Sequence, residues 1–326
     1  MTDYLYDKTG PVDPDVAELE GLLGGHAHGA PLRELPPRRT RSTARRTGAI
    51  ALAATALAIA IALVLVRRGD DCGGSTGFAF AVDGGPARCA GGVATRGTLP
   101  VGAWLETAGG SVADVRVADI GRLTVFGDSR VRLIDTGAAG HRLELARGRV
   151  AARVVAPPRL FVVDTPVASA VDLGCAYELA VDSDGRTRLR VTSGAVSLEG
   201  RGVVAYAPMD TEVVAVAGRG PGTPVARRAA PALRDAVARF DAGDADTAGV
   251  AAIAAAAGPG DTVTLWNLLA RTRGDARARI AARLDQLSPR PGDVAAADVI
   301  AGDAAAIERW RVDLAPRWMC PECFPR

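Results

Sequence analysis

The distribution of apolar and polar residues sets one short region apart from the rest of the chain. Residues 48–66 read GAIALAATALAIAIALVLV and contain no charged side chain. A helix of this length spans about 28 Å, close to the ~30 Å hydrocarbon core of a bilayer. A buried core helix would show a polar face, and a signal peptide would not follow so long a leader. The region therefore predicts one membrane-spanning helix.

Arginines favour one orientation of this helix. Five precede it, whereas the two that follow it stand directly before Asp70 and Asp71. The five are Arg38, Arg39, Arg41, Arg45 and Arg46. Because short arginine-rich flanks stay in the cytoplasm, we expect residues 1–47 to form a cytoplasmic tail. The rest of the chain would lie in the periplasm, on the outer side of a bacterial inner membrane.

Beyond the span, a long region alternates between apolar and polar residues. Short runs such as RLTVFGDSRVRLI recur from Phe78 to about Val216, separated by Gly, Asp and Pro. Strands at ~10-residue spacing without a helical pattern predict an all-β domain, a roll, sandwich or short solenoid, over residues 67–218. Asp184-Gly185 indicates a hairpin tip, and Gly194 a second turn or a bulge.

The remaining region has helical spacing. Residues 219–228, with RGPGTP, are expected to form a linker, and residues 229–326 an alanine-rich helical part. Asp261 and Thr262 are plausible helix caps. Trp266 and Trp310 are expected to anchor the helical core.

One short amphipathic helix is predicted in the tail. Asp13 could cap it, Pro14 fits its first position, and four apolar residues follow at helical spacing. These are Val16, Leu19, Leu22 and Leu23. Such a stripe cannot be buried alone, so the tail either stays largely disordered or docks on a partner. His26 and His28 form an incomplete metal site, and a solvated turn is the better interpretation.

The five cysteines suggest pairing rather than metal binding. Cys72 and Cys89 lie outside, where a disulfide between them could form. Cys175 lies within a predicted strand and is expected to be a small buried hydrophobe. Cys320 and Cys323 have the spacing of half a zinc site or a redox pair, but neither site is complete. A local disulfide or a dithiol exposed to a partner is our interpretation of this last pair.

Charge and residue chemistry argue against several functions. The 39 basic and 37 acidic residues leave a formal net charge of +2, which gives no reason to expect a nucleic-acid partner. His141 is the only histidine outside the tail, and Asp164, Asp172 and Asp182 fit strand ends or turns better than paired catalytic carboxylates. We therefore expect no catalytic residue, no cofactor and no bound metal.

An ordered series of residues between about Gly102 and Leu198 resembles the FecR-type domain. Its positions combine turn glycines, an F-x-V-x-T-P strand, the VDLGCAY segment and a V-x-x-G-x-V segment. They are Gly148, Phe161, Val163, Thr165, Pro166, Gly174, Cys175, Tyr177, Val191, Gly194 and Val196. VDLGCAY, RGPGTP and TLWNLL also resemble a bacterial subfamily of single-span FecR-domain proteins.

The resemblance implies regulation. FecR-type proteins are membrane-anchored modulators of extracytoplasmic-function sigma factors, so the tail would contact a sigma factor and the outer domain an unknown periplasmic partner. The tail here has no Trp and the outer carboxy-terminal part is helical, which makes a role in iron transport a poor inference. The alternative is an envelope binding or scaffolding protein without a sigma-factor partner.

Overall fold

The structure, a computed structural model, describes residues 17–18, 72–73, 76–243 and 246–319. Within these ranges, a β-rich region from Phe78 to Ala226 precedes six α-helices between Pro231 and Met319. This order confirms the predicted β-domain followed by a helical part.

The strands, numbered in chain order, form two sheets that share one long strand. The first sheet has the order β4 (Arg96–Leu99), β1 (Phe78–Asp83), β6 (Val112–Val117), β7 (Gly121–Val125), β9 (Gly140–Val154), β12 (Ala176–Val181), β13 (Thr187–Ser193) and β16 (Thr211–Val216), the last also pairing with β17 (Gly220–Pro221) and β18 (Val225–Ala226). The second has the order β3 (Gly92–Ala94), β2 (Ala87–Cys89), β5 (Trp104–Glu106), β8 (Arg130–Gly137), β9, β10 (Phe161–Asp164), β11 (Ser169–Asp172), β14 (Ala195–Gly200) and β15 (Val203–Pro208). Among these pairings, only β9 with β10 is parallel.

Strand β9 connects the sheets because it bends at Gly148. Its first half pairs with β8 and β10, and its second half pairs with β7 and β12. Gly148 has φ +89°, and a Cβ there would lie 2.6 Å from the Cβ of Ser129. Only glycine combines this backbone conformation with such close packing, so one strand passes from sheet to sheet at this residue.

The core lies between the two sheets. In β1 the burial alternates strictly, with Phe78, Phe80 and Val82 inside, as the sequence pattern requires of a strand with one solvated face. Apolar residues of both sheets join in a single cluster. Its largest fully buried members include Phe78, Leu99, Leu105, Leu123, Leu133, Leu143, Leu145, Phe161, Tyr177, Leu179 and Leu189.

The helices enclose a second core. They are α1 (Pro231–Ala242), α2 (Thr247–Ala256), α3 (Thr262–Arg271), α4 (Gly274–Leu287), α5 (Ala296–Ala301) and α6 (Ala304–Met319), with a 3₁₀ turn at Pro259–Asp261. Trp310 is buried at its centre, and Trp266 packs partly buried at its edge. Asp261 occupies the position before α3, but its side chain accepts a hydrogen bond from the Gly258 N–H instead of capping α3.

The segment expected to be a linker belongs to the folded structure. It supplies β17 and β18, and residues 220–225 are buried. The hydroxyl of Thr264 in α3 donates to the carbonyl of Pro224 at 2.8 Å. The β-domain and the helices are therefore joined by a packed connection.

Nothing in the described ranges is a helix both long and apolar enough to cross a membrane. The predicted span, residues 48–66, lies outside those ranges.

Candidate functional site

The DLGCAY segment turns the chain from one sheet to the other. Asp172 ends β11 in the second sheet, and Ala176 begins β12 in the first. The Asp172 carboxylate accepts hydrogen bonds from the Gly174 N–H at 2.7 Å and from the Cys175 thiol at 2.6 Å. A side chain that bonds its own turn in this way fixes the path of the crossing.

This turn forms a buried polar cluster. Asp172, Cys175 and Tyr177 are 1%, 5% and 2% exposed. Burial raises the pKa of the Asp172 carboxyl, and burial together with the adjacent Asp172 raises the pKa of the Cys175 thiol. Burial, followed by the nearby Cys175 and Asp172, also raises the pKa of Tyr177. Its hydroxyl makes no hydrogen bond to any residue in the described part of the chain.

The cluster is poorly suited to thiol chemistry. A cysteine acts as a nucleophile through its thiolate, which a cationic neighbour or a helix N-terminus stabilises. Here a carboxylate faces the sulfur, and both groups are buried. The arrangement keeps the thiol protonated. Cys175 is buried, as the sequence led us to expect, but its hydrogen bond to Asp172 shows that it is not merely a small hydrophobe.

The remaining motif residues lie partly at this crossing and partly in the strands and turns that lead to it. Gly194, with φ +71°, lies so close to Gly174 and Cys175 that a Cβ at position 194 would overlap the Gly174 carbonyl oxygen and lie 2.9 Å from the Cys175 Cα. Thr165 closes the preceding turn by donating to the Ala168 carbonyl at 2.7 Å. Phe161, Val163, Val191 and Val196 are buried in the core, whereas Pro166 is exposed.

The cysteines at the start of the β-domain are joined. Cys72 and Cys89 form a disulfide with Cα atoms 5.9 Å apart, while Cys175 is free and buried. Cys320 and Cys323 lie outside the described residues. Three His, Cys, Asp or Glu side chains do not come close enough anywhere in the described ranges to hold a metal ion.

The proposed docking stripe of the tail, Val16, Leu19, Leu22 and Leu23, also lies outside the described residues. Ala17 and Glu18, which lie within the same predicted helix, are helical and exposed. These two residues do not belong to the predicted stripe.

A second site lies where the RGPGTP segment meets the helices. Thr223 donates its N–H and its hydroxyl to the two carboxylate oxygens of Asp241, both at 2.8 Å. Arg271, the last residue of α3, pairs with the same carboxylate at 2.8 Å. Beside this network lies a cavity of about 360 Å³.

Sequence reasoning did not bring these residues together. Thr223 and Asp241 are 18 positions apart, and Thr223 and Arg271 are 48 apart, so no local spacing links them. The only signal was the unusual RGPGTP string itself. Asp172 was assigned to a strand end or a turn, and it is the last residue of β11, but its burial was not foreseen.

One comparison with known proteins, the match to a family model, agrees with the motif series. Residues 104–197 match the family model described as FecR protein. No curated protein matches the chain. Two crystal structures of a candidate anti-sigma factor from Parabacteroides distasonis ATCC 8503 are similar, each at 17% identity and a TM-score of 0.32. The similarity covers 36% of this chain and 56% of that one, little more than half its length. The FecR match thus runs from β5 into β14 and contains the DLGCAY crossing.

Proposed function

We propose that the protein is a membrane-anchored, non-enzymatic regulator of an extracytoplasmic-function sigma factor. Its outer FecR domain and helices would receive an envelope signal, and its inner tail would hold the sigma factor. The observation that carries this proposal is the FecR domain at residues 104–197. The charge-free run of residues 48–66 supplies the anchor and separates the FecR domain from the tail.

The tail contact is the part of the proposal that can be tested most directly. A helix bound in a groove presents apolar anchors three and four residues apart, the spacing of Leu19 and Leu22. Each buried leucine contributes roughly 1.5 to 3 kcal/mol, and a carboxylate at the same place is strongly unfavourable. Aspartate at these two positions should therefore remove the contact.

The experiment uses the full chain and a panel of the cell's extracytoplasmic-function sigma factors, each tagged. The wild-type chain should co-purify with one of them, and the double substitution Leu19→Asp, Leu22→Asp should abolish that and change transcription of the regulon. Ala17→Asp is the control, because Ala17 is exposed and lies outside the predicted stripe. Unchanged binding and transcription in the double variant would contradict the proposed contact.

The proposed orientation of the chain in the membrane needs a separate test. A reporter active only in the periplasm, fused after Arg326, should give a signal, and neutral replacements of the five arginines before the span should reduce it. A signal from a reporter active only in the cytoplasm would overturn the orientation. If the orientation is correct but no sigma factor binds, the envelope binding or scaffolding function becomes the better account.

A further inference from the structure

The cavity beside RGPGTP is lined by an excess of positive charge. Four arginines and two carboxylates face it, and they come from a hairpin turn, strand β16, the RGPGTP segment and helices α1 and α3. The arginines are Arg186, Arg219, Arg234 and Arg271, and the carboxylates are Glu212 and Asp241. The cavity volume of about 360 Å³ falls at the lower end of the range for small-molecule sites.

Both carboxylates already have partners. Glu212 pairs with Arg190 at 2.8 Å and with Arg188 at 3.5 Å, and neither of these arginines lines the cavity. Asp241 accepts from Thr223 and Arg271. The lining acids are thus neutralised by their own partners, and the positive charge of the remaining arginines stays uncompensated.

The lining arginines differ in how many hydrogen bonds their guanidinium groups already make. Arg234 donates through Nε and Nη2 to backbone carbonyls, including that of Ala226 at 2.9 Å, which holds its guanidinium in place. Arg219 makes one long contact, 3.4 Å, to the carbonyl of Asp241. The side chain of Arg186 forms no hydrogen bond or ion pair with a residue of the described ranges. Arg186 and Arg219 therefore remain available to a ligand.

The wall of the cavity is tightly packed at two glycines. Gly222 has no room for a side chain, because a Cβ there would lie 2.6 Å from Oδ2 of Asp241 and 2.8 Å from the Val214 carbonyl oxygen. Gly220 has φ +77°, and its Cβ would lie 2.9 Å from the Gly200 carbonyl oxygen. The glycines of RGPGTP thus allow the segment to pack tightly under the arginines, which gives this string a physical purpose.

We propose that this cavity binds a small ligand that carries phosphate groups. Guanidinium groups recognise phosphate through paired, charge-assisted hydrogen bonds, and a tetrahedral polyanion offers acceptors to arginines that converge from several directions. The site is independent of the sigma-factor partner, since it involves neither the tail nor the membrane anchor. It gives the outer part of the protein a chemical class of ligand to sense.

The test uses the full chain in a non-ionic detergent and inorganic pyrophosphate as the probe, titrated calorimetrically at low ionic strength. Wild-type protein should bind one equivalent, and the double variant Arg186→Gln, Arg219→Gln should bind at least tenfold more weakly. High salt should weaken the wild-type interaction, since exposed charges are screened. Citrate serves as a comparison anion, and it should bind more weakly than pyrophosphate.

The matched control removes the same charge elsewhere. Arg122 and Arg153 lie opposite each other on β7 and β9, both exposed and outside the cavity. Arg122→Gln, Arg153→Gln lowers the formal net charge by the same two units and should leave the affinity within twofold of wild type. Equal losses in the two double variants, no saturable binding by wild-type protein, or tighter binding of citrate would each overturn the proposal. Far-UV circular dichroism and thermal unfolding establish that all variants are folded.

Discussion

The thiol of Cys175 lies 2.6 Å from a carboxylate oxygen of Asp172, and both side chains are buried where the chain passes between two sheets. The carboxylate is held by donors of its own turn instead of by a cation. The protonation state of Asp172 therefore affects the stability of the FecR domain.

We expect Asp172 to make the domain less stable as pH rises. Burial raises the pKa of this carboxyl above its ordinary value of 3.8, so the folded state binds its proton more tightly than the unfolded state. Such a group contributes stability that is fully present below the unfolded pKa and is lost as pH rises through the folded pKa. Asp172→Asn removes the titration. The Tm of Asp172→Asn minus the Tm of wild type should become more positive from pH 4 to pH 8. Parallel plots of Tm against pH for the two proteins would contradict the prediction.

Gly194 should not tolerate replacement, for a reason beyond its positive φ angle. A Cβ there would overlap the Gly174 carbonyl oxygen, whereas at Gly202, with a similar φ of +75°, nothing lies within 4 Å. A left-handed backbone conformation alone costs a non-glycine residue about 1 to 2 kcal/mol, and Gly202→Ala should lower the free energy of unfolding by this amount. In urea unfolding, Gly194→Ala should lower it by at least about 2 kcal/mol more than Gly202→Ala does. Similar losses at both positions would mean that the close approach is not limiting.

The sequence predicted those features that depend on local pattern. Alternating burial in β1 followed directly from its apolar and polar residues, and the helical region was evident from its spacing. Gly148 was identified as a turn glycine of the motif series, but its place inside the long strand β9, packed against Ser129, could not be predicted from local pattern. Strands of two residues, such as β17 and β18, have no periodicity to detect, so their segment was interpreted as a linker.

The candidate sites divide in the same way. The DLGCAY cluster involves residues within six positions of one another, and the motif located it. The cavity beside RGPGTP is lined by Arg186 from a hairpin and by Arg271 from a helix, and Arg271 also donates to Thr223. Only the tertiary fold joins them.

The disulfide should contribute substantially to the stability of the β-domain. Cys72 and Cys89 enclose a loop with a sequence separation of 17, for which the chain-entropy argument gives about 3 kcal/mol. Cys72→Ser, Cys89→Ser should lower the free energy of unfolding by about that amount. Mass mapping of unreduced protein should find Cys72 linked to Cys89 and Cys175 unmodified by an alkylating reagent. Free thiols at both 72 and 89 would refute this pairing.

The junction between the β-domain and the helices should depend on one amide. In α3, Asn267 accepts from the Tyr206 N–H at 2.9 Å and donates to the Tyr206 carbonyl at 3.0 Å, so it extends the edge of β15 as another strand would. The same amide nitrogen donates to the Val263 carbonyl of its own helix at 2.9 Å. Asn267 is 3% exposed, and water cannot readily replace it.

Asn267→Ala should therefore leave both polar groups of Tyr206 without their partner. An unsatisfied buried group costs about 1 to 3 kcal/mol, so we expect the free energy of unfolding to fall by at least about 2 kcal/mol. Proteolysis between β18 and α1 should also occur earlier than in wild type. Gln286→Ala is the matched control, because this amide of α4 is exposed and, within the described ranges, its side chain hydrogen-bonds to Arg283 alone. Limited proteolysis and thermal unfolding of the two variants decide the matter. If Asn267→Ala resists protease as well as Gln286→Ala does, the apolar contacts of Trp266 and Trp318 with Tyr206 hold the junction without the amide.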